Sequence, residues 1–324
     1  MDRNGLQMKI RLLVIVVAAV AGVRLTGQDG SDQTKISLAY PVYSQYLHNG
    51  LIINPAYAGT REALSFFVSG RMQWMGIKGA PLSQTASMHT LLKNNKVGLG
   101  LSGQFLKYGF SRSTSVYTDY AYHIMLGRGR LSMGLRAGFD MSNTDYTGIV
   151  LINPNDPVFT SNDKPYFLPN VGAGFYYSEK NFFMGVSVPS FLSYAKNSAG
   201  KVNFDTFTGF DVLMTAGALV SFSPAFRFKP SVFVDYPLDK TGSIRFDVNG
   251  NFIFFDFLWL GASWRTYEEV AVGILQLQVT PQMMFGYSYD YPAGKMSTYS
   301  KGSHEIIFRY EFGYRVSAAN PRYF

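Results

Sequence analysis

No cysteine occurs in the 324 residues. Disulfides are therefore excluded, and no thiol is left to carry a lipid after a leader. Charge is scarce too, at 15% of residues, against about 25% in an ordinary soluble domain. Beyond the N-terminal stretch there is no apolar run of the roughly 20 residues that a membrane-crossing helix needs. Histidine is sparse and scattered, with four residues far apart in sequence. What is plentiful is aromatic: 22 Tyr and 27 Phe, beside 32 Gly, with a mean hydropathy of only +0.02. A chain rich in aromatics yet neutral in hydropathy fits a barrel in lipid. There each apolar, lipid-facing residue is followed by a small or polar one facing the lumen. The length allows one large domain or two average ones. The net charge of +8 is placed at rims and turns and assigned to no nucleic-acid partner.

The N-terminus reads as an address. Lys9 and Arg11 precede an apolar stretch from Leu12 to Val23, too short to span a bilayer, and small or polar residues follow through Gly27. This is the pattern of a cleaved signal peptide over residues 1–27, with cleavage after Ala21 or after Gly27 and Met8 as an alternative start. Residues 28–61 are expected to form a periplasmic N-terminal segment, 62–316 an outer-membrane barrel, and 317–324 a C-terminal tail.

From Leu64 onward one pattern recurs: about ten residues of alternating polarity, then a turn. Leu131, Met133, Leu135, Ala137, Phe139 and Met141 share one face, while Ser132, Gly134, Arg136, Gly138 and Asp140 share the other. Near the end, Ile306, Phe308, Tyr310 and Phe312 oppose Glu305, Arg309 and Glu311. About fourteen such segments begin near residues 64, 82, 96, 112, 130, 169, 182, 210, 226, 242, 257, 270, 282 and 303. The predicted fold is all-β, a transmembrane antiparallel barrel. Connections with even numbers are tight and suit periplasmic turns. The longest, Tyr146–Leu168 and Pro189–Gly209, carry odd numbers and suit the cell surface. A soluble sandwich is the rejected alternative. Large aromatics such as Trp74, Tyr236, Trp264, Tyr289, Tyr291 and Tyr314 are read as outward-facing girdle residues near strand ends, and charges of both signs line the opposite face.

Catalytic constellations are wanting. Gly98-Leu99-Gly100-Leu101-Ser102-Gly103 spells a dinucleotide fingerprint, but it lies inside an alternating strand with no helix after it. His304-Glu305 begins like a zinc-protease motif, yet Phe308 stands where the second ligand should be. His89 and His123 fall on lumen faces without a close-spaced partner, so no metal is expected, and no cofactor. Glu268-Glu269 is read as a solvated tip. The lumen candidates Arg71, Arg136, Arg245, Asp247 and Arg309 belong to a mixed-sign set whose simplest role is mutual neutralisation. A selectivity lining for a channel is the alternative.

One stretch is not explained by barrel physics. Ser44-Gln45-Tyr46 and Asn54-Pro55-Ala56-Tyr57-Ala58-Gly59 carry turn signals and no strand period. Such a segment docks a periplasmic partner or closes the barrel as a rim cap or short plug. Together with Gln73-Trp74-Met75-Gly76 and Gly79-Ala80-Pro81 at the first hairpin, these residues resemble the PorP/SprF outer-membrane proteins of the type IX secretion and gliding apparatus of Bacteroidetes. Asn95-Lys96-Val97-Gly98-Leu99-Gly100, Tyr120-Ala121-Tyr122-His123, Gly185-Val186-Ser187-Val188-Pro189 and Ser303-His304-Glu305-Ile306 extend the likeness in order along the mature chain. His48, where relatives tend to be more apolar, departs from the pattern, as does the tail after Val316. The resemblance implies a non-catalytic component of the secretion machinery, seated in outer-membrane lipid. It would engage periplasmic ring or peptidoglycan-associated components, or the C-terminal domains of secreted cargo such as adhesins. A pore for small polar solutes is the competing reading.

Overall fold

Alternating polarity specifies a strand only when each face meets its own solvent, and a ring of strands in lipid meets that condition without leaving an open edge. The computed structural model describes residues 34–36, 43–92, 95–145, 165–196, 202–206, 210–238 and 243–313. The expected leader, the tail, Tyr314, Arg315 and residues 146–164 of the longest connection lie outside the described residues.

Fourteen strands form the ring: β1 Leu64–Met72, β2 Leu82–Leu91, β3 Val97–Tyr108, β4 Ser111–Leu126, β5 Gly129–Thr144, β6 Tyr166–Glu179 and β7 Phe182–Val188 in the first half. The second half is β8 Asp211–Ala218, β9 Phe226–Pro237, β10 Arg245–Phe254, β11 Leu258–Arg265, β12 Val270–Gln278, β13 Met283–Pro292 and β14 Ser303–Phe312. After Leu219, β8 resumes for two residues as Val220–Ser221. Each strand pairs antiparallel with its chain neighbours, β8 joining β7 to β9. The seam between first and last strands runs from Leu64 opposite Phe312 to Met72 opposite His304. No described helix is long and apolar enough to cross a membrane; the strands do the crossing.

The outer face carries the apolar half of the alternation, with Leu135, Phe175, Val248, Phe285 and Ile306 all exposed. The inner face carries the polar half. Ser65, Ser69 and Arg71 of β1, Asp119 and His123 of β4, and Asp247, Asn249 and Asn251 of β10 are all buried. Short turns such as Gly127-Arg128 and Lys180-Asn181 close one mouth, where β1 begins and β14 ends. The long connections gather at the other mouth, which by the usual rule for these barrels faces the cell exterior. The third connection, Gly109-Phe110, is an outer one and yet tight; it tucks against the first hairpin through Gly109 N–H donating to Gly79 O at 2.7 Å.

The expectation of a periplasmic segment over 28–61 is corrected for residues 34–36 and 43–61; residues 28–33 and 37–42 lie outside the described residues. Thr34–Ile36 pairs with Ser193–Lys196 of the seventh connection, which also pairs with Val202–Thr206. That small sheet belongs to the outer mouth. From there the chain passes to residue 43, descends through the lumen, and leaves at the inner mouth to begin β1. The turn signals are used inside the barrel. Tyr46–His48 and Pro55–Tyr57 are 3₁₀ turns flanking a single helical turn, Gly50–Ile53. The Asn54 side chain accepts from Ala56 N–H at 2.9 Å, and Pro55 opens the turn that follows.

Glycines on the wall make room for this backbone. A Cβ on Gly98 would lie 2.1 Å from Ala58 O, and one on Gly134 would lie 2.1 Å from Ala56 N. Gly98 of β3 therefore serves close approach of a second backbone, and Gly100 makes room for the Leu51 side chain. Gly134→Ala is expected to abolish the folded, heat-modifiable barrel or to expose residues 43–63 to protease. Gly70→Ala, whose Cβ meets nothing within 4 Å, should leave both readouts unchanged.

Candidate functional site

The segment 43–63 forms a plug, and every barrel residue that holds it faces inward by the period of its strand. At the outer end Ser44 is the hub. Its N–H donates to Glu305 Oε2 at 2.8 Å, and its hydroxyl donates to Asp290 Oδ1 at 2.7 Å. Arg71 donates to Ser44 Oγ at 2.9 Å while pairing with Asp290 at 2.7 Å and Glu305 at 3.2 Å. Arg265 extends the network to Asp290, Asp247 and Glu268 at 3.3, 3.0 and 3.2 Å. Glu268 is thus tied into the lumen and is not the solvated tip expected of it. Arg245 pairs with Asp235 at the same level. Arg71, Arg265, Asp247, Asp290 and Glu305 are buried, so each of these charges depends on its neighbours for the solvation it has lost.

Below the hub, the plug is stitched to the wall group by group. Gln276 donates to Gln45 Oε1 at 2.9 Å, and Asn249 donates to the Tyr46 hydroxyl at 2.6 Å. Ser87 donates to Asn49 Oδ1 at 2.9 Å. The carbonyls left open at the end of a one-turn helix need donors. Arg136 supplies them, bonding Leu51 O and Ile52 O while its Nε holds Asp119 at 2.7 Å. Ser187 donates to Ile53 O at 2.6 Å, and Asn54 donates to Phe175 O at 2.9 Å.

Nearer the inner mouth the contact turns apolar. Leu51, Ala56, Tyr57 and Ala58 pack with Ala121, Tyr176, Phe183, Ile253, Trp259 and Met284 of the wall. Tyr57 meets Tyr176 edge-on at 5.5 Å and His89 at 5.4 Å. Gly59 N–H donates to His89 Nδ1 at 3.1 Å, so this histidine is an acceptor for the plug. Arg61 pairs with Glu311 at 3.1 Å, and Arg130 bonds Thr60 O at 2.7 Å. Among the described residues no group of His, Asp and Glu could hold a metal ion.

The docking candidates Ser44, Gln45, Tyr46, Asn54, Pro55, Ala56, Tyr57 and Gly59 are all buried within the barrel. They are therefore corrected from periplasmic contacts to lumen contacts. Without those contacts the polar inner wall would stand unsatisfied. Arg71, Arg136, Asp247 and Arg309 are buried in the lumen and Arg245 is half-buried there. Gln73, Trp74, Gly76, Gly79 and Pro81 form the first outer hairpin. Trp74 is no girdle residue: it sits at φ +52° beside an outer cavity. The apolar part of the lumen was not anticipated. In Leu258-Trp259-Leu260 both faces are apolar, and alternation cannot say which side is inside.

A closed fourteen-strand barrel of alternating polarity with an apolar outer band defines an outer-membrane protein, here one whose lumen is filled by its own N-terminal segment. It crosses the outer membrane many times. The family described as type IX secretion system membrane protein PorP/SprF matches residues 36–310, and the chain belongs to that family. Among curated proteins none matches it in sequence. Similar solved structures include the CymD monoaromatic hydrocarbon channel, at 10% identity and a TM-score of 0.49 over 86% of this chain and 94% of that one. The Ralstonia pickettii toluene transporter TbuX gives 8% and 0.48 over 81% and 92%. Acinetobacter baumannii Omp33 gives 10% and 0.45 over 78% and 99%.

Two predictions test the plug. Removing one partner of a buried pair costs about 3–5 kcal/mol. Arg71→Met is therefore expected to lower the thermal midpoint of the barrel and free residues 43–49 for proteolysis. Arg71→Met combined with Glu305→Met should recover part of the loss. The second concerns His48, whose Nδ1 accepts from Arg309 Nη1 at 3.2 Å. His48→Leu removes that acceptor and is expected to lower the thermal midpoint, while His48→Gln, which keeps an acceptor, should lower it less.

Proposed function

We propose that this protein is a non-catalytic docking component of the type IX secretion and gliding machinery, and that it works with a closed lumen. The observation that carries the reading is the plug itself. Within a family that serves secretion, this chain fills its barrel with a segment held at its outer end by the hydrogen bonds of Ser44 to Glu305 and Asp290, at its inner end by the Arg61–Glu311 ion pair, and along its length by further hydrogen bonds. A conduit for solutes would not bind its obstruction through so many buried groups. What remains for partners is the rim. The outer connection 189–209, with its small sheet including Thr34–Ile36, is the surface assigned to the C-terminal domain of exported cargo. The short inner turns are left to periplasmic ring or peptidoglycan-associated components.

Crosslinking pull-down from native membranes tests this reading. Replacing residues 197–201 with a Gly-Ser linker is expected to reduce recovery of cargo while secretion components on the inner side are still recovered. Unchanged cargo recovery would remove the outer sheet from the proposal. The wild-type barrel in planar bilayers is expected to show no steady conductance. A stable ohmic current would instead support a pore for small polar solutes.

A further inference from the structure

Above the Ser44 hub the barrel opens into a cavity of about 420 Å³ that the plug does not fill. That volume lies within the 300–1,000 Å³ typical of small-ligand sites. Its walls include Gln73 and Trp74 of the first connection, Tyr267 and Glu269 of the eleventh, and Lys295 of the thirteenth; Arg71 and Asp290 lie beneath. Three separate outer connections thus converge on one space.

The backbone around it is strained on opposite sides. Trp74 and Glu269, neither of them glycine, are held at φ +52° and +51°. A bulky side chain in that region is an outlier that the surrounding fold has to enforce. Trp74 is held by its N–H donating to Ser303 Oγ at 3.1 Å, with Met75 and Gly302 bonded next to it at 2.8 Å. Glu269 is held by Ala293 N–H donating to its carbonyl at 2.8 Å.

The uncommitted groups decide the ligand class. Arg71 and Asp290 are committed to each other and to Ser44. Among the described residues no side-chain hydrogen bond engages Gln73, Glu269, Lys295 or the Trp74 indole. These four offer an amide, a carboxylate, an ammonium and an indole N–H: both donors and acceptors, with formal charges that cancel. Flanking them are two aromatic rings with apolar faces. A charged peptide group would find its charge only half answered here. A neutral ring bearing hydroxyls on its edge and C–H groups on its face matches both sets.

We propose that the outer-mouth cavity is a binding site for a neutral saccharide, with Trp74 and Tyr267 as stacking walls and Gln73, Glu269 and Lys295 as hydrogen-bonding partners to ring hydroxyls. The site is independent of the docking reading: it concerns a small ligand at the mouth, whatever the rim binds.

The experiment is saturation-transfer NMR on the full-length barrel in an amine-oxide detergent, since a maltoside headgroup would itself compete. The probes are cellobiose, maltose, lactose and N,N′-diacetylchitobiose, each free and tethered through its reducing end to a carrier protein, with tetralysine as the charged alternative. Saturable transfer from at least one sugar is expected, weakened about tenfold or more by Trp74→Gly and by Gln73→Ala. The glycine variant removes the ring while keeping a residue at ease with φ +52°, and heat-modifiability confirms that each variant is folded. Binding of the tethered form identifies the end of a surface glycan as the fitting ligand; binding of the free form alone identifies a soluble sugar. No saturable transfer from any sugar, transfer from tetralysine alone, or transfer indifferent to both substitutions would overturn the proposal.

Discussion

A ring of fourteen strands encloses more volume than its own inward side chains can fill, and here the segment 43–63 takes up that volume against a wall of buried charges that must be paired. Much of the inner architecture answers that constraint. Arg136 reaches the carbonyls of Leu51 and Ile52 because the open carbonyls of a buried one-turn helix need donors from the wall. Ser44 sits between Arg71, Asp290 and Glu305 because three buried charges of unequal sign need a neutral donor to share them. Gly98 and Gly134 are small because the backbone of the plug lies against them.

The lumen falls into two regimes. Its outer half is ionic, with Arg71, Arg265, Asp247, Asp290 and Glu305 in one connected network. Its inner half is a packed apolar core around Tyr57 and Trp259. The ionic half holds the plug through Ser44, whose N–H and hydroxyl meet Glu305 and Asp290. The apolar half supplies burial, at roughly 25 cal/mol for each Å² removed from water. His48 sits where they meet, an aromatic edge against Trp259 at 5.5 Å and an acceptor for Arg309.

The barrel was legible in the sequence because alternation is local. Whether Arg136 faces in or out can be read from Leu135 and Ala137 alone, and the strand starts near 64, 130, 182 and 303 fall within a residue or so of those observed. The pairing of Asp119 with Arg136 needed only a hairpin register. The plug was not legible in the same way. Ser44 and Glu305 are 261 residues apart, and no period marks a segment whose partners come from nearly every strand around it. Its turns could be read; its location could not, because a leader followed by a non-strand segment looks the same inside a barrel as beneath one. Trp74 was misread as a girdle residue because an aromatic at a strand end has two fates, lipid or cavity, and a strained backbone angle leaves no trace in composition.

The path of the plug also sets a chronology. Thr34–Ile36, ahead of it in the chain, pairs with the seventh connection at the outer mouth, and its inner end leads directly into β1, so the chain passes through its own ring. A finished ring could take up that thread only by reopening or by drawing a free end through. The simpler history is that the segment lies in place while the sheet is still open and that β14 then zips onto β1 around it. The last hydrogen bonds to form would be those of the seam, and the filled lumen would be its mould.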